Sequence, residues 1–264
     1  MRIRRAYIDN VYGQLHYRYA GTNSDNPPLL CLHQTPKSGF DYDPIMPDLG
    51  RDRLVLAPDT PGYGASDGPD APILIEDYAA AMIRFMDDLA PGRPFDVIGY
   101  HTGSLIATEM ANRRPDRVRR VILVGLAAYD AETRQQKLDT IGRFPVPQPD
   151  ISNIINLWNL LESMTDARVD LGWKQANLIE CLRAGEHLPW GFISVYKYDF
   201  LGNLAALRQP VLVMAPEDDL HAVTLAVAPT IPHGQIVEFK GAAHGFFKVE
   251  AGRVCAAIRD FLGG

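Results

Sequence analysis

The residues whose types and spacing could do chemistry are three short clusters. Gly99-Tyr-His-Thr-Gly103 sets His101 between an apolar run, Phe95 to Ile98, and a helical stretch, Ser104 to Arg113. Glycines flank the tip of such a strand-to-helix turn because side chains there would strike neighbouring backbone, and the turn projects its central residue outward. An imidazole at that tip could serve as base, acid or nucleophile. Pro216-Glu-Asp-Asp219 follows the apolar run Val211 to Met214, and Gly241-Ala-Ala-His244 follows Gln235 to Phe239, so carboxylates and a second imidazole also stand just beyond strand-like segments.

The elements that must position these groups alternate along the chain. Gly13 to Tyr19 alternates apolar and polar, as a half-exposed strand does, whereas Pro28 to His33, Arg53 to Ala57 and Val121 to Val124 run apolar, as strands covered on both faces do. Between Pro72 and Leu89, Ile75, Ala79, Met82, Met86 and Leu89 recur at helical spacing, with Asp77, Arg84 and Asp88 left for water. From about 131 to 204 the strands give way to amphipathic stretches such as Ile154 to Leu161, punctuated by Phe144-Pro-Val-Pro-Gln-Pro149. The final helix carries Val254, Ile258 and Phe261 as one stripe. The predicted class is α/β: residues 1–130 and 205–264 form a mostly parallel sheet with helices on both faces, and 131–204 form a helical cap.

In this order and context the motifs resemble those of the alpha/beta-hydrolase fold family over nearly the whole chain. His33-Gln-Thr-Pro36 falls at that family's oxyanion loop, Asp59-Thr-Pro-Gly-Tyr-Gly-Ala-Ser66 at its Asp-x-x-Gly-x-Gly-x-Ser turn, Asp219 at its acid and His244 at its catalytic histidine. The resemblance implies an eight-stranded sheet, Asp219 orienting His244, residue 101 facing that imidazole, and an oxyanion hole from the backbone N–H groups of Gln34 and Thr102. Two departures stand out: His101 replaces the usual Ser, Asp or Cys, and Gln34 replaces a glycine.

The helix after His101 directs partial positive charge at that ring, which favours its neutral form, while an Asp219 carboxylate would favour the His244 cation. His101 is thereby expected to be base or nucleophile and His244 acid. A slip of one residue would make Asp218 the partner instead. His33 reads more simply as a member of its loop, and Ser104 as a hydrogen-bonding residue at the helix start. A metal held by both histidines and Asp219 is disfavoured if Asp219 lies behind the His244 ring.

Composition narrows the classes further. A net charge of −6 gives no footprint for nucleic acid. No run reaches the eighteen or so apolar residues of a membrane helix, and the N-terminus lacks a signal-peptide core, so a cytoplasmic protein is expected. Cys31, Cys181 and Cys255 have no metal-binding or disulfide spacing and are expected to be buried thiols. Trp158, Trp173, Trp190, Phe192, Tyr196 and Tyr198 in or near the cap suggest a partly apolar or aromatic small-molecule substrate.

The sequence therefore predicts a hydrolase of a small carbonyl compound (ester, lactone or ketone-flanked carbon–carbon bond) that needs no cofactor or metal. The alternatives are a cofactor-free lyase, isomerase or oxygenase using the same two imidazoles, and a non-catalytic ligand-binding member of the fold. Oligomeric state stays open.

Overall fold

The structure, a computed structural model, describes residues 1–141 and 147–263. Strands form where the sequence reads apolar on both faces: β3 (Leu29–Leu32), β4 (Val55–Pro58), β5 (Phe95–Tyr100) and β7 (Val211–Pro216) are buried at every position. With β1 (Arg4–Asn10), β2 (Gly13–Ala20), β6 (Val118–Val124) and β8 (Gly234–Phe239) they make one sheet in the order β1-β2-β4-β3-β5-β6-β7-β8. The pairs β1/β2 and β2/β4 are antiparallel and the rest parallel. The fold is therefore the expected mostly parallel sheet with an antiparallel edge. β1 has no apolar run to announce it, because an edge strand pairs on one side only and keeps alternate positions exposed.

Successive side chains of a strand point to opposite faces, which divides the interior into two cores. Leu30, Val97, Val121 and Val213 pack on one face against α2 (Ile75–Leu89) and α3 (Thr102–Arg113), whereas Cys31, Ile98, Ile122 and Met214 pack on the other against α1 (Met46–Leu49), α10 (Phe246–Val249) and α11 (Ala251–Leu262). In α11 the buried stripe is Val254, Cys255, Ile258 and Leu262; Phe261, expected within it, is only partly buried. All three cysteines are free and buried.

Between β6 and β7 the described residues form α4 (Ala131–Asp139), α5 (Ser152–Met164), α6 (Leu171–Arg183), α7 (Trp190–Lys197) and α8 (Phe200–Ala205). Of the Pro-rich segment read as punctuation, Phe144, Pro145 and Val146 lie outside the described residues. A short helix, α9 (His221–Val227), follows the β7 loop. No described helix is long and apolar enough to cross a membrane.

Candidate active site

β5 ends at Tyr100 and α3 begins at Thr102, so the whole change of direction falls on His101, at φ 47 and ψ −110. A non-glycine residue holds such a conformation only under compulsion from its surroundings, at roughly 1–3 kcal/mol. Close packing supplies the compulsion. A Cβ on Gly99 would stand 2.1 Å from the Gly103 carbonyl oxygen, and one on Gly103 would stand 2.0 Å from the Leu32 carbonyl oxygen. Ser104, fully buried, donates to the Gly99 carbonyl at 2.8 Å and accepts from the Val124 N–H at 3.1 Å, which ties the elbow to β6 and leaves Ser104 in the structural role expected of it.

An imidazole is bulkier than a serine hydroxyl, and the fold makes room for it at Gly125, immediately after β6. A Cβ there would approach His101 Cδ2 to 2.4 Å and Nε2 to 2.6 Å. Nothing in the local sequence marks Gly125, because the clash spans two strands.

Two imidazole–carboxylate pairs lie side by side. His244 Nε2 hydrogen-bonds Asp219 Oδ1 at 2.8 Å, and His101 Nε2 hydrogen-bonds Asp218 Oδ2 at 2.8 Å. The ring centroids are 5.3 Å apart at an interplanar angle of 78°. The structure thus brings together His101, His244 and Asp219, and adds an acid that the sequence offered only as a rival partner for His244: Asp218 is fully buried and serves the other ring. Among the described residues, Nδ1 of neither imidazole has a hydrogen-bond partner, so each ring keeps one nitrogen for other work.

The electrostatics revise the expected roles. Burial pushes the His244 imidazole below its ordinary pKa; the Asp219 bond opposes this, while Lys37 and His101 add to it. His244 is therefore favoured neutral, contrary to the expectation of a cation, because loss of solvation outweighs its one carboxylate. Burial also opposes charge on Asp218 and Asp219, but the neighbouring imidazoles overcome it, holding Asp218 below the usual carboxylate value and Asp219 down at about 2.

Of the residues expected at the oxyanion loop, Gln34 lines the cavity and its backbone N–H has no acceptor among the described residues; Thr102 supplies the first N–H of α3. His33 does not reach the cavity. Its Nε2 accepts from the Thr60 N–H at 2.9 Å, which places the ring proton on Nδ1, 2.8 Å from the Gln34 carbonyl. It braces the loop instead of meeting a ligand. Asp59 anchors the same region, its carboxylate accepting from the Gly39 and Ala65 N–H groups at 2.9 Å each and pairing with His16 Nδ1 at 2.8 Å. His16, which has no partner evident in the sequence, is thus structural.

The loop carrying His244 is fixed by the helical segment. The Asp166 N–H donates to the His244 carbonyl at 2.9 Å, and the Asp166 carboxylate accepts from the Ala243 N–H at 3.2 Å and from Arg168 at 2.7 Å. The Arg168 guanidinium holds the Asp166 carboxyl down at about 2. Gly245, at φ 90, permits the approach, since a Cβ there would lie 2.8 Å from Val169.

His101, His244 and Asp219 line a cavity of about 230 Å³ together with the apolar Leu157, Leu161 and Met164 of α5, Leu188 and Phe192. Of the aromatic residues expected to line it, Phe192 does so. Trp173 instead stacks on Phe40 beside Lys37.

One ligand atom from each of His101, Asp218, Asp219 and His244 lies within 4.8 Å of the others. The expectation that Asp219 stands behind the His244 ring, out of reach of an ion shared with His101, is therefore corrected. The donor set suits a divalent cation, but each nitrogen facing the cluster is already engaged by a carboxylate.

A family model described as alpha/beta hydrolase fold matches residues 27–145. That match, the elbow and the sheet order agree on the fold. The chain has the alpha/beta-hydrolase fold. Its similarity to haloalkane dehalogenase 2 of Mycobacterium tuberculosis (strain ATCC 25618 / H37Rv) is 34% identity over 133 residues, 50% of this chain and 45% of that protein, so the chain spans about half the length of that relative. It is 28% identical over 257 residues to the pimeloyl-[acyl-carrier protein] methyl ester esterase of Vibrio parahaemolyticus, covering 94% of this chain and 97% of that one. The crystal structure of a hydrolase from Pseudomonas aeruginosa superposes with a TM-score of 0.82 at 21% identity, covering 99% of each chain. At the elbow of this fold stands His101.

Proposed function

We propose that the chain is a hydrolase of small, partly apolar carbonyl compounds (esters, lactones or ketone-flanked carbon–carbon bonds) that works through paired imidazoles without a covalent serine intermediate. The observation that carries this reading is the juxtaposition of two rings 5.3 Å apart, each with its own carboxylate, in the lining of a largely apolar cavity. His244, kept neutral by burial, takes the proton from an attacking water. His244 passes that proton to His101, which gives it to the leaving group, and the Asp218 carboxylate balances the positive charge His101 carries in between. Asp219 orients His244, and the N–H groups of Gln34 and Thr102 face the developing oxyanion. Residues 131–204 act as a cap that screens the reacting carbonyl from solvent. Similarity to the methyl ester esterase over nearly the full chain supports carbonyl hydrolysis.

With p-nitrophenyl esters and aryl lactones as probes, His101→Ala is expected to lower kcat at least about 100-fold; unchanged rates would remove His101 from the chemistry. His101→Ser rebuilds a conventional triad with His244 and Asp219, and labelling of that variant by a fluorophosphonate tests whether the elbow faces His244. A second reading, proton shuttling in a lyase or isomerase, is favoured by the near-equivalence of the two imidazole–carboxylate pairs. Turnover in ¹⁸O-water separates the two, since only hydrolysis carries the label into product.

A further inference from the structure

The oxyanion turn holds a cation that the acid–base chemistry does not use. The Lys37 side chain is 5% exposed, yet it lines the cavity and is the one lysine or arginine among the described residues that do so. Its Nζ makes no hydrogen bond with any described residue. Asp41 Oδ1 stands 3.9 Å away, close enough to balance charge but too far for a hydrogen bond, and the Trp173 ring lies 5.7 Å below. The Nζ donors thus have no acceptor among the described residues and are available to a group bound in the cavity. Buried charges in proteins are paired and hydrogen-bonded, and an acceptor bound in the cavity would supply both.

The surroundings carry further unspent polarity. Trp173, Asn177 and Cys181 follow at intervals of four along one face of α6, and Asn177, 1% exposed, also lines the cavity. Asn177 Oδ1, Trp173 Nε1 and Gln34 Nε2 are all buried without a hydrogen-bond partner. Leu157, Leu161 and Met164 line the same cavity. The cavity lining therefore combines the cationic Lys37 and the amides of Gln34 and Asn177 with apolar side chains of α5 and with His101 and His244.

We propose that Lys37 is a substrate-anchoring residue: it binds a carboxylate on the substrate, whose apolar remainder lies along α5. The Lys37 N–H donates to the Gln34 carbonyl at 3.0 Å, so anchor and oxyanion residue belong to a single turn. The substrate class is accordingly a carboxylic acid bearing a second, scissile carbonyl. A carboxylate suits the site better than a neutral acceptor because it meets the ammonium with charge as well as with two acceptor oxygens. This assignment deepens the hydrolase reading and rests on it for the scissile group alone.

The test separates the two by reading binding without turnover. Butyrate, hexanoate, octanoate and 4-phenylbutyrate are each compared with their primary amides by calorimetric titration on the wild-type protein, Lys37→Met and Lys37→Arg. The expected result is at least about tenfold tighter binding of one or more carboxylates than of the matching amide, equalised in Lys37→Met and retained in Lys37→Arg. His101→Ala should keep the preference, because it leaves the anchor intact. If no pair favours the carboxylate, or if Lys37→Met, melting no lower than wild type, keeps the preference, the anchor is overturned. Loss of esterase activity in His101→Ala with the carboxylate preference intact supports both readings, and the preference alone, without any turnover, leaves the anchor standing while the hydrolase reading falls.

Discussion

Gly125→Ala tests whether the elbow was rebuilt for an imidazole. The new Cβ would lie 2.4 Å from His101 Cδ2, about 1 Å short of ordinary van der Waals contact, so the ring must shift or the backbone give way. Overpacking of this kind costs roughly 1–3 kcal/mol, and alanine at φ 61 adds roughly 1–2 kcal/mol of its own. A loss of about 2–5 kcal/mol in a chain of this size lowers Tm by about 5–15 °C. The double-mutant cycle with His101→Ala separates the parts. Removing the ring relieves the clash but not the backbone strain, so Gly125→Ala should cost about 1–3 kcal/mol less in the His101→Ala background. Thermal and chemical denaturation of the four proteins measure this, and displacement of the ring from Asp218 should also reduce turnover. Strictly additive stabilities would mean that Gly125 does not make room for His101, and the packing argument would fail.

Asp219→Asn removes the interaction that opposes burial at His244, so His244 should protonate at still lower pH; the acid limb of the kcat/KM profile moves down while the rate falls roughly 10²- to 10⁴-fold. An upward shift would reverse the assignment of His244 as base. Stability should follow the same groups. Because His244 is harder to protonate folded than unfolded, the fold weakens as pH drops below about 6.5. Asp219, at about 2 in the fold, adds a further loss as pH falls from about 4 toward that value, and melting curves of Asp219→Asn should lack this second component. Asp166→Ala cuts the ties to Ala243 and Arg168 and should cost about 1–3 kcal/mol and lower kcat more than it raises KM; a stable variant with unchanged kcat would show that the His244 loop needs no such tie. Extensive chelation should leave activity unchanged and added Zn²⁺ should inhibit by occupying Nε2 of both rings; activity lost on chelation and restored by a divalent ion would replace the acid–base scheme with metal-activated water.

Much of the fold was legible because its causes are local. Apolar runs bounded by turns became the buried strands, the apolar repeat from Ile75 to Leu89 became α2, and Gly99 and Gly103 marked the elbow because short-range sterics admit nothing larger. The bond between His244 and Asp219 was legible too, as soon as the motif order implied which strand ends meet. The partner of His101 was not. Asp218 lies 117 residues away, and which of two adjacent carboxylates turns to which ring depends on how the β7 loop lies over the elbow.

Composition and motif order, then, determined an α/β sheet with a histidine raised at a strand-to-helix turn. Only the tertiary structure decided that this ring has its own buried acid, that Gly125 leaves space for it, that His244 is favoured neutral, and that Lys37 lines the cavity with no hydrogen bond from its Nζ to any described residue. Each of these follows from desolvation or from contact between segments distant in the chain. Those effects arise when strands and loops are brought together, and no local pattern of residue types encodes them.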